Sequence, residues 1–151
     1  MRVYLASRFG RWPEMQEYEK DLIERGHTVT SYWHNADHLK ANAHVDLTPT
    51  REQRLDWASR DMVDILACST LISFTEAPRG DSRGGRHVEY GAALALEKET
   101  IVIGPLEHIF HELADTQFDT WEEYLGWLDA QLYCYDLEHQ VAAEELPTVS
   151  R

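Results

Sequence analysis

The chain has 151 residues, 43% of them hydrophobic, which is enough for one domain with a real core and too few for two comfortable ones. A formal charge of -13 opposes nonspecific attraction to DNA or RNA and so excludes a nucleic-acid polymer as partner, while a small nucleoside or nucleotide stays open because Arg79, Arg83 and Arg86 can make one site electropositive. There is no run of about 18 apolar residues and no basic-then-apolar leader, so a soluble, cytoplasmic protein without a membrane partner is expected. Cys68 and Cys134 lack CxxC spacing, which fits a reducing compartment and two packing residues.

Arg2 to Ala6 reads as a strand, Ser7-Arg8-Phe9-Gly10 as its loop, and Trp12-Pro13 as a helix start. In that helix Met15, Tyr18, Leu22 and Ile23 form one apolar stripe at helical period, and Gly26 ends it. His27 to Trp33 carries enough β-branched and aromatic residues for a second strand. His34 to Leu47 has no clean period and reads as a long loop of the kind that often serves as a lid; His34, His38 and His44 within it have no ligand spacing that calls for a metal.

Thr48-Pro49 marks the next helix, with Leu55, Ala58, Met62, Ile65 and Leu66 as its expected buried stripe. Asp61 and Asp64 lie one turn apart beside the stripe, either as a solvated acidic edge or with one of them turned toward a ligand. Thr70 to Phe74 and Thr100 to Gly104 are apolar runs of strand length, joined through a small-residue helix in which Gly91-Ala92-Ala93 allows close approach to the sheet. A last helix opens at Thr120 with Glu123 as a capping box. Residues 1–132 are read as the single domain and 133–151 as an acidic tail, loose or docked on a partner subunit.

This alternation argues for an α/β fold, a flavodoxin-like (Rossmann-like) open parallel sheet of about five strands flanked by helices, whose ligand binds at the carboxyl ends of the strands. Ser7, Arg8 and Phe9, Trp33, and the loop leading to Glu89 then line one cleft. Arg83-Gly84-Gly85-Arg86-His87-Val88-Glu89 is the stretch of most interest, because a carboxylate one turn into a helix after a glycine pair sits where backbone can approach a ligand. By itself the position also suits an ordinary first-turn glutamate that compensates the helix dipole. The glycines match neither GxGxxG nor GxxxxGK[ST].

Tyr4-Leu5-Ala6-Ser7-Arg8-Phe9-Gly10, Asp61 opening Asp-Met-Val-Asp, the strand Leu71-Ile-Ser-Phe-Thr, Gly84-Gly-Arg-His-Val-Glu89-Tyr-Gly and Val102-Ile-Gly-Pro105 together resemble the nucleoside 2-deoxyribosyltransferase family, which includes nucleoside 5'-monophosphate N-glycosidases. The resemblance spans roughly residues 2–128 and implies cleavage of an N-glycosidic bond, no cofactor, no metal, and a homo-oligomer in which a neighbouring subunit completes each site. It implies that Glu89 is the nucleophile, that Asp61 contacts sugar or base with general acid as a possible role, and that Tyr4 orients Glu89; Tyr4 as a plain core aromatic is the alternative.

The transferases place an aspartate six residues before the nucleophile, where this chain has Arg83, with Asp81 the nearest acid. Arg83 and Arg86 can instead hold a 5'-phosphate, as the hydrolysing branch requires, or form surface ion pairs. Trp33 or Trp57 can stack on the base, or serve as partial core. Substrate contacts are thus expected from Ser7, Arg8, Phe9, Trp33, Trp57, Asp81, Arg83, Gly84, Gly85 and Arg86, on a nucleoside or nucleotide whose sugar passes to another base. Hydrolysis and a non-catalytic nucleotide-binding module are the alternatives; a flavin-binding protein is disfavoured because no serine/threonine-rich phosphate loop follows the first strand.

Overall fold

The computed structural model describes residues 1–35, 50–77 and 84–144, with side chains described as far as Tyr135. In chain order the elements are β1 (Arg2–Ala6), α1 (Trp12–Glu24), β2 (Thr28–Val29), α2 (Arg51–Ala67), β3 (Thr70–Phe74), α3 (Gly85–Ala95), β4 (Glu99–Ile103), β5 (Thr116–Phe118) and α4 (Trp121–Glu144). All strand pairs are parallel, in the order β2-β1-β3-β4-β5. This is the expected open, flavodoxin-like sheet. No helix among the described residues is long and apolar enough to cross a membrane.

Burial follows from the topology. The chain leaves β1 toward β2 on one side and returns to β3, β4 and β5 on the other, so right-handed crossovers place α1 on one face and α2 with α3 on the opposite face. Helix α4 comes back to the α1 face: the Tyr18 and Trp121 rings stack at 4.4 Å, the Trp121 indole N–H donates to Asp21 at 2.8 Å, and Arg25 pairs with Asp129 at 2.7 Å. With helices on both faces, every residue of β3 is buried, as are Val3 to Ala6 of β1 and Thr100 to Ile103 of β4. The connections leave β1 and β3 in opposite directions, which opens a cleft beyond their carboxyl ends.

Several expectations are corrected. The second strand is two residues long, because side chains replace the ladder beyond it: the Leu5 N–H donates to Ser31 Oγ at 3.1 Å and the Trp33 indole N–H to the Leu5 carbonyl at 2.7 Å. Ile23 is exposed, although Met15 and Leu22 of the same stripe are buried and Tyr18 packs against the core. On α2 only Ile65 is buried, whereas Leu55, Ala58, Met62 and Leu66 are exposed. Helix α2 is capped by Thr50, whose hydroxyl accepts from the Gln53 N–H at 3.2 Å while Gln53 returns a bond to the Thr50 N–H at 2.9 Å. Thr48 and Pro49, the expected start, lie outside the described residues.

Gly91 is exposed with open space where a Cβ would stand, so it is not a point of close approach. That role belongs to Gly104, at φ +109°, where a Cβ would stand 2.7 Å from Thr75 Oγ1. Cys68 is buried, with its thiol toward the Ile65 carbonyl, but Cys134 is exposed and is not a packing residue. Strand β5 was not located from the sequence. Helix α4 starts as expected, with Thr120 Oγ1 accepting from the Glu123 N–H at 3.2 Å, and continues to Glu144.

Candidate functional site

The Tyr4 side chain reaches from β1 to the α3 face and donates its hydroxyl proton to Glu89 Oε1 at 3.0 Å, linking residues 85 positions apart. The reach is set by register: Tyr4 lies opposite Leu71 in the centre of the sheet, and Glu89 lies one turn into the helix that crosses it. Gly84, at φ +75°, lets the chain turn into that helix, and its carbonyl accepts from the His87 N–H at 3.0 Å. Glu89 Oε2 is shielded from solvent and has no hydrogen-bond partner among the described residues.

Burial, followed by the charge of Asp61, pushes the Glu89 carboxyl up to about 8, against the opposing pull of the Tyr4 hydrogen bond and the Arg86 charge. Burial also pushes Asp61 up to about 6, with Asp64 adding to the effect and Arg60 opposing it. The Tyr4 phenol is raised by its own burial and by the Glu89 charge, so it remains a donor. With Glu89 at about 8 and Asp61 at about 6, the two carboxyls together hold one proton near neutrality, and it resides on Glu89. Asp64 instead accepts the Tyr32 N–H at 3.1 Å, which anchors the turn after β2 and separates its role from that of Asp61.

Ser7 is buried, and its Oγ has no partner among the described residues. Arg8 pairs with Glu76 at 2.8 Å, bridging the exits of β1 and β3. Phe9 is exposed, its ring 6.3 Å from that of Trp33. Trp33 is buried, held by its bond to Leu5 and by an edge contact with His34 at 5.3 Å, which is the partial-core arrangement. Trp57 is half-buried and lines a shallow depression of about 530 Å³ along α2, one turn before Asp61. Asp81 and Arg83 lie outside the described residues, as do His38 and His44; His34 is buried and bonded to Glu19 at 3.1 Å.

Arg86 is buried, so the ion pair that it forms is not the surface pair expected as one alternative. Its Nη2 lies 2.8 and 2.7 Å from the two oxygens of Glu107. Glu107 also accepts the Glu76 N–H at 2.7 Å, and His87 Nε2 stands 3.4 Å from it. Burial would raise the Glu107 carboxyl, but the bonds from Arg86 and the Glu76 backbone prevail and hold it below the usual range, so it is ionised.

Beside this pair, His87, His108 and His111 bring ring nitrogens within 4.8 Å of one another, close enough to hold a metal ion. Their lone pairs are already engaged. Backbone N–H groups of Phe110 and Glu107 donate to Nδ1 of His108 and His111 at 3.2 and 3.1 Å, which puts each neutral ring's proton on Nε2. His108 Nε2 then donates to His87 Nδ1 at 2.9 Å. Burial and the neighbouring His108 push His111 down to about 4, which keeps it neutral.

The sequence reading did not single out Glu76, Glu107, His108 or His111. The available signal was position: Gly104-Pro105-Leu106-Glu107-His108 leaves the carboxyl end of a buried parallel strand, where the cleft rule applies as it does after β1 and β3.

No protein-family model matches the chain, and no curated protein matches it significantly. Its three-dimensional structure is similar to that of a 2-deoxyribosyltransferase from Bacillus psychrosaccharolyticus, with a TM-score of 0.62 at 21% identity over 83% of this chain and 90% of that one. The fold is shared with that enzyme. It is also similar to the CMP N-glycosidase BcmB of Clostridium botulinum, with a TM-score of 0.55 at 21% identity over 85% of this chain and 99% of that one. The resemblance drawn from the residues is thus matched by a likeness in fold.

Proposed function

We propose that this protein is an enzyme that cleaves the N-glycosidic bond of a (deoxy)nucleoside or its 5'-monophosphate and passes the sugar to another base. The observation that carries this reading is the Glu89 carboxylate, with Oε1 held by Tyr4 at 3.0 Å and Oε2 buried and without a hydrogen-bond partner among the described residues. A carboxylate fixed by one oxygen presents the other in a defined direction, as a nucleophile at an anomeric carbon requires. Oε2 forms the bond to the anomeric carbon as the bond to the base nitrogen breaks, and that bonding pair leaves with the base.

The departing base needs a proton. Asp61, raised by burial to about 6, can donate it once the proton that Glu89 holds near neutrality has passed to Asp61, a transfer that leaves Glu89 ionised for attack. Attack by the nitrogen of a second base, whose proton passes to the now ionised Asp61, breaks the glycosyl ester, releases Glu89 as carboxylate and completes transfer. Substrate contacts are assigned to Ser7, Arg8 and Phe9 at the exit of β1 and to Asp81, Arg83 and the Gly84-Gly85 turn. Trp33 and Arg86 are the weaker members of the set, since both side chains are buried and bonded within the chain.

Hydrolysis is the second reading, favoured by Arg83 at the position where the resembled transferases carry an aspartate. Chromatography of wild type and Glu89→Ala with nucleosides and monophosphates, with and without an acceptor base, separates the possibilities. Exchanged nucleoside supports transfer, and free base without exchange supports hydrolysis. Binding without base release supports a non-catalytic module, and base release undiminished in Glu89→Ala would sink the mechanism.

A further inference from the structure

We propose that Glu107 is a positioning residue for Glu89, acting through Arg86: it fixes the guanidinium one helical turn before the reactive carboxylate and offsets its charge. The importance of Glu89 rests on the function proposed above; the physical coupling does not.

Arg86 and Glu89 are three residues apart on α3 and so share one side of the helix. The Arg86 and Glu107 side chains are each 6% exposed, and the shorter contact between them is 2.7 Å. In such surroundings a guanidinium charge is poorly screened, and removing a counter-charge bonded to it changes the field at every nearby group. The groups that bear on Glu89 are Tyr4 from β1, Asp61 from α2 and Arg86 from its own helix. Those that bear on Glu107 are Arg86 and His87 from α3, His111 through the Glu107 N–H, and the backbone of Glu76.

Glu107 therefore ties together the exits of β3 and β4 and the first turn of α3. Glu76 stands just after β3 and Arg86 just inside α3, so one carboxylate holds both ends of the segment that leads to Glu89. Arg8 extends the chain of contacts to β1 through the Glu76 side chain at 2.8 Å. A carboxylate is needed at this node because it can accept from a backbone N–H and a guanidinium while supplying the negative charge. The consequence at Glu89 is chemical: with Arg86 offset, the Glu89 carboxylate keeps the basicity of a buried acid and hence its strength as a nucleophile.

The test is direct titration of the Glu89 carboxyl by carbon-13 NMR, assigned by loss of its signal in Glu89→Gln. In Glu107→Gln the Glu89 midpoint should fall by about half a pH unit or more, as for a carboxyl newly exposed to a nearby positive charge. Arg86→Gln, which leaves the negative partner behind, should move the midpoint up. Glu107→Asp keeps the charge and should restore most of the wild-type value. If Glu107 only packs, Glu107→Gln lowers stability while the midpoint stays in place, and the proposal is overturned. The same holds if both single variants move it in one direction.

If Glu107→Gln does not fold, the double variant Arg86→Gln/Glu107→Gln decides the matter: its midpoint should fall back from the raised value of Arg86→Gln toward that of the wild type, and a double variant that titrates with Arg86→Gln overturns the proposal. Base-release assays on the same variants keep the two readings apart. A moving midpoint without base release from any nucleoside or monophosphate retains the coupling and removes the proposed function. Base release that depends on Glu89, with an immobile midpoint, does the reverse.

Discussion

Because the Tyr4 hydroxyl donates to Glu89 Oε1, it favours the ionised carboxylate, and its removal should act in a defined direction. In Tyr4→Phe the Glu89 carboxyl should rise above its value of about 8, and kcat/KM for base release should fall about 10- to 100-fold through lost orientation. A pH profile checks both: the one proton held by Glu89 and Asp61 predicts a bell whose alkaline limb, set by Glu89 at about 8, moves upward in the variant. An unmoved limb would mean that Tyr4 serves only as packing. The same burial makes Glu89 a burden on stability. Its carboxyl is raised from an ordinary 4.5 to about 8, so between those values the folded state holds a proton that the unfolded state has lost. Stability from this group is therefore greatest below the lower value and declines as pH rises through the window. Glu89→Gln should remove the decline and stabilise the protein at pH 8, by on the order of 2 kcal/mol in urea unfolding, while abolishing base release.

At the scale of elements, the exits of β3 and β4 meet at Gly104. Its φ of +109° and the 2.7 and 2.8 Å that would separate a Cβ from Thr75 Oγ1 and O leave no room for a side chain. Gly104→Ala should cost about 2–4 kcal/mol in chemical denaturation through strain and overpacking. It should also reduce activity, because Thr75 precedes Glu76, whose N–H holds Glu107. This junction shows why some of the structure was legible in the sequence and some was not. The runs at 70–74 and 100–104 announce buried parallel strands by composition, since helices cover both faces. Strand β2 is an edge whose continuation is replaced by Ser31 and Trp33 side-chain bonds, and β5 is three partly exposed residues without an apolar run. Tyr4, Asp61 and Glu89 were legible as a set only through their order along the chain. Glu107 was not, because its role depends on a pairing with Arg86 across 21 positions that no local pattern encodes.

At the scale of the whole molecule, the apolar stripe of α2 has the period the sequence predicts but not the burial. Leu55, Met62 and Leu66 recur at helical spacing and are 60%, 40% and 56% exposed, with Val63 beside them at 61%. Periodicity states that a helix has an apolar side; it does not state which molecule covers it. Among the described residues nothing covers this side, while Ile65 at its edge enters the core and the charge of Asp61 bears on Glu89. A second copy of the chain is the cover that fits the homo-oligomer implied by the resemblance, and it would place a neighbour beside the helix that supplies Asp61. Sedimentation of the wild type should then show an oligomer, and Met62→Lys combined with Leu66→Lys should dissociate it while circular dichroism stays unchanged. The dissociated variant should lose most of its base-release activity without any change to Glu89, Asp61 or Tyr4. A monomeric wild type, or a dissociated variant with full activity, would confine the whole reaction to one chain and leave the α2 stripe without a part in it.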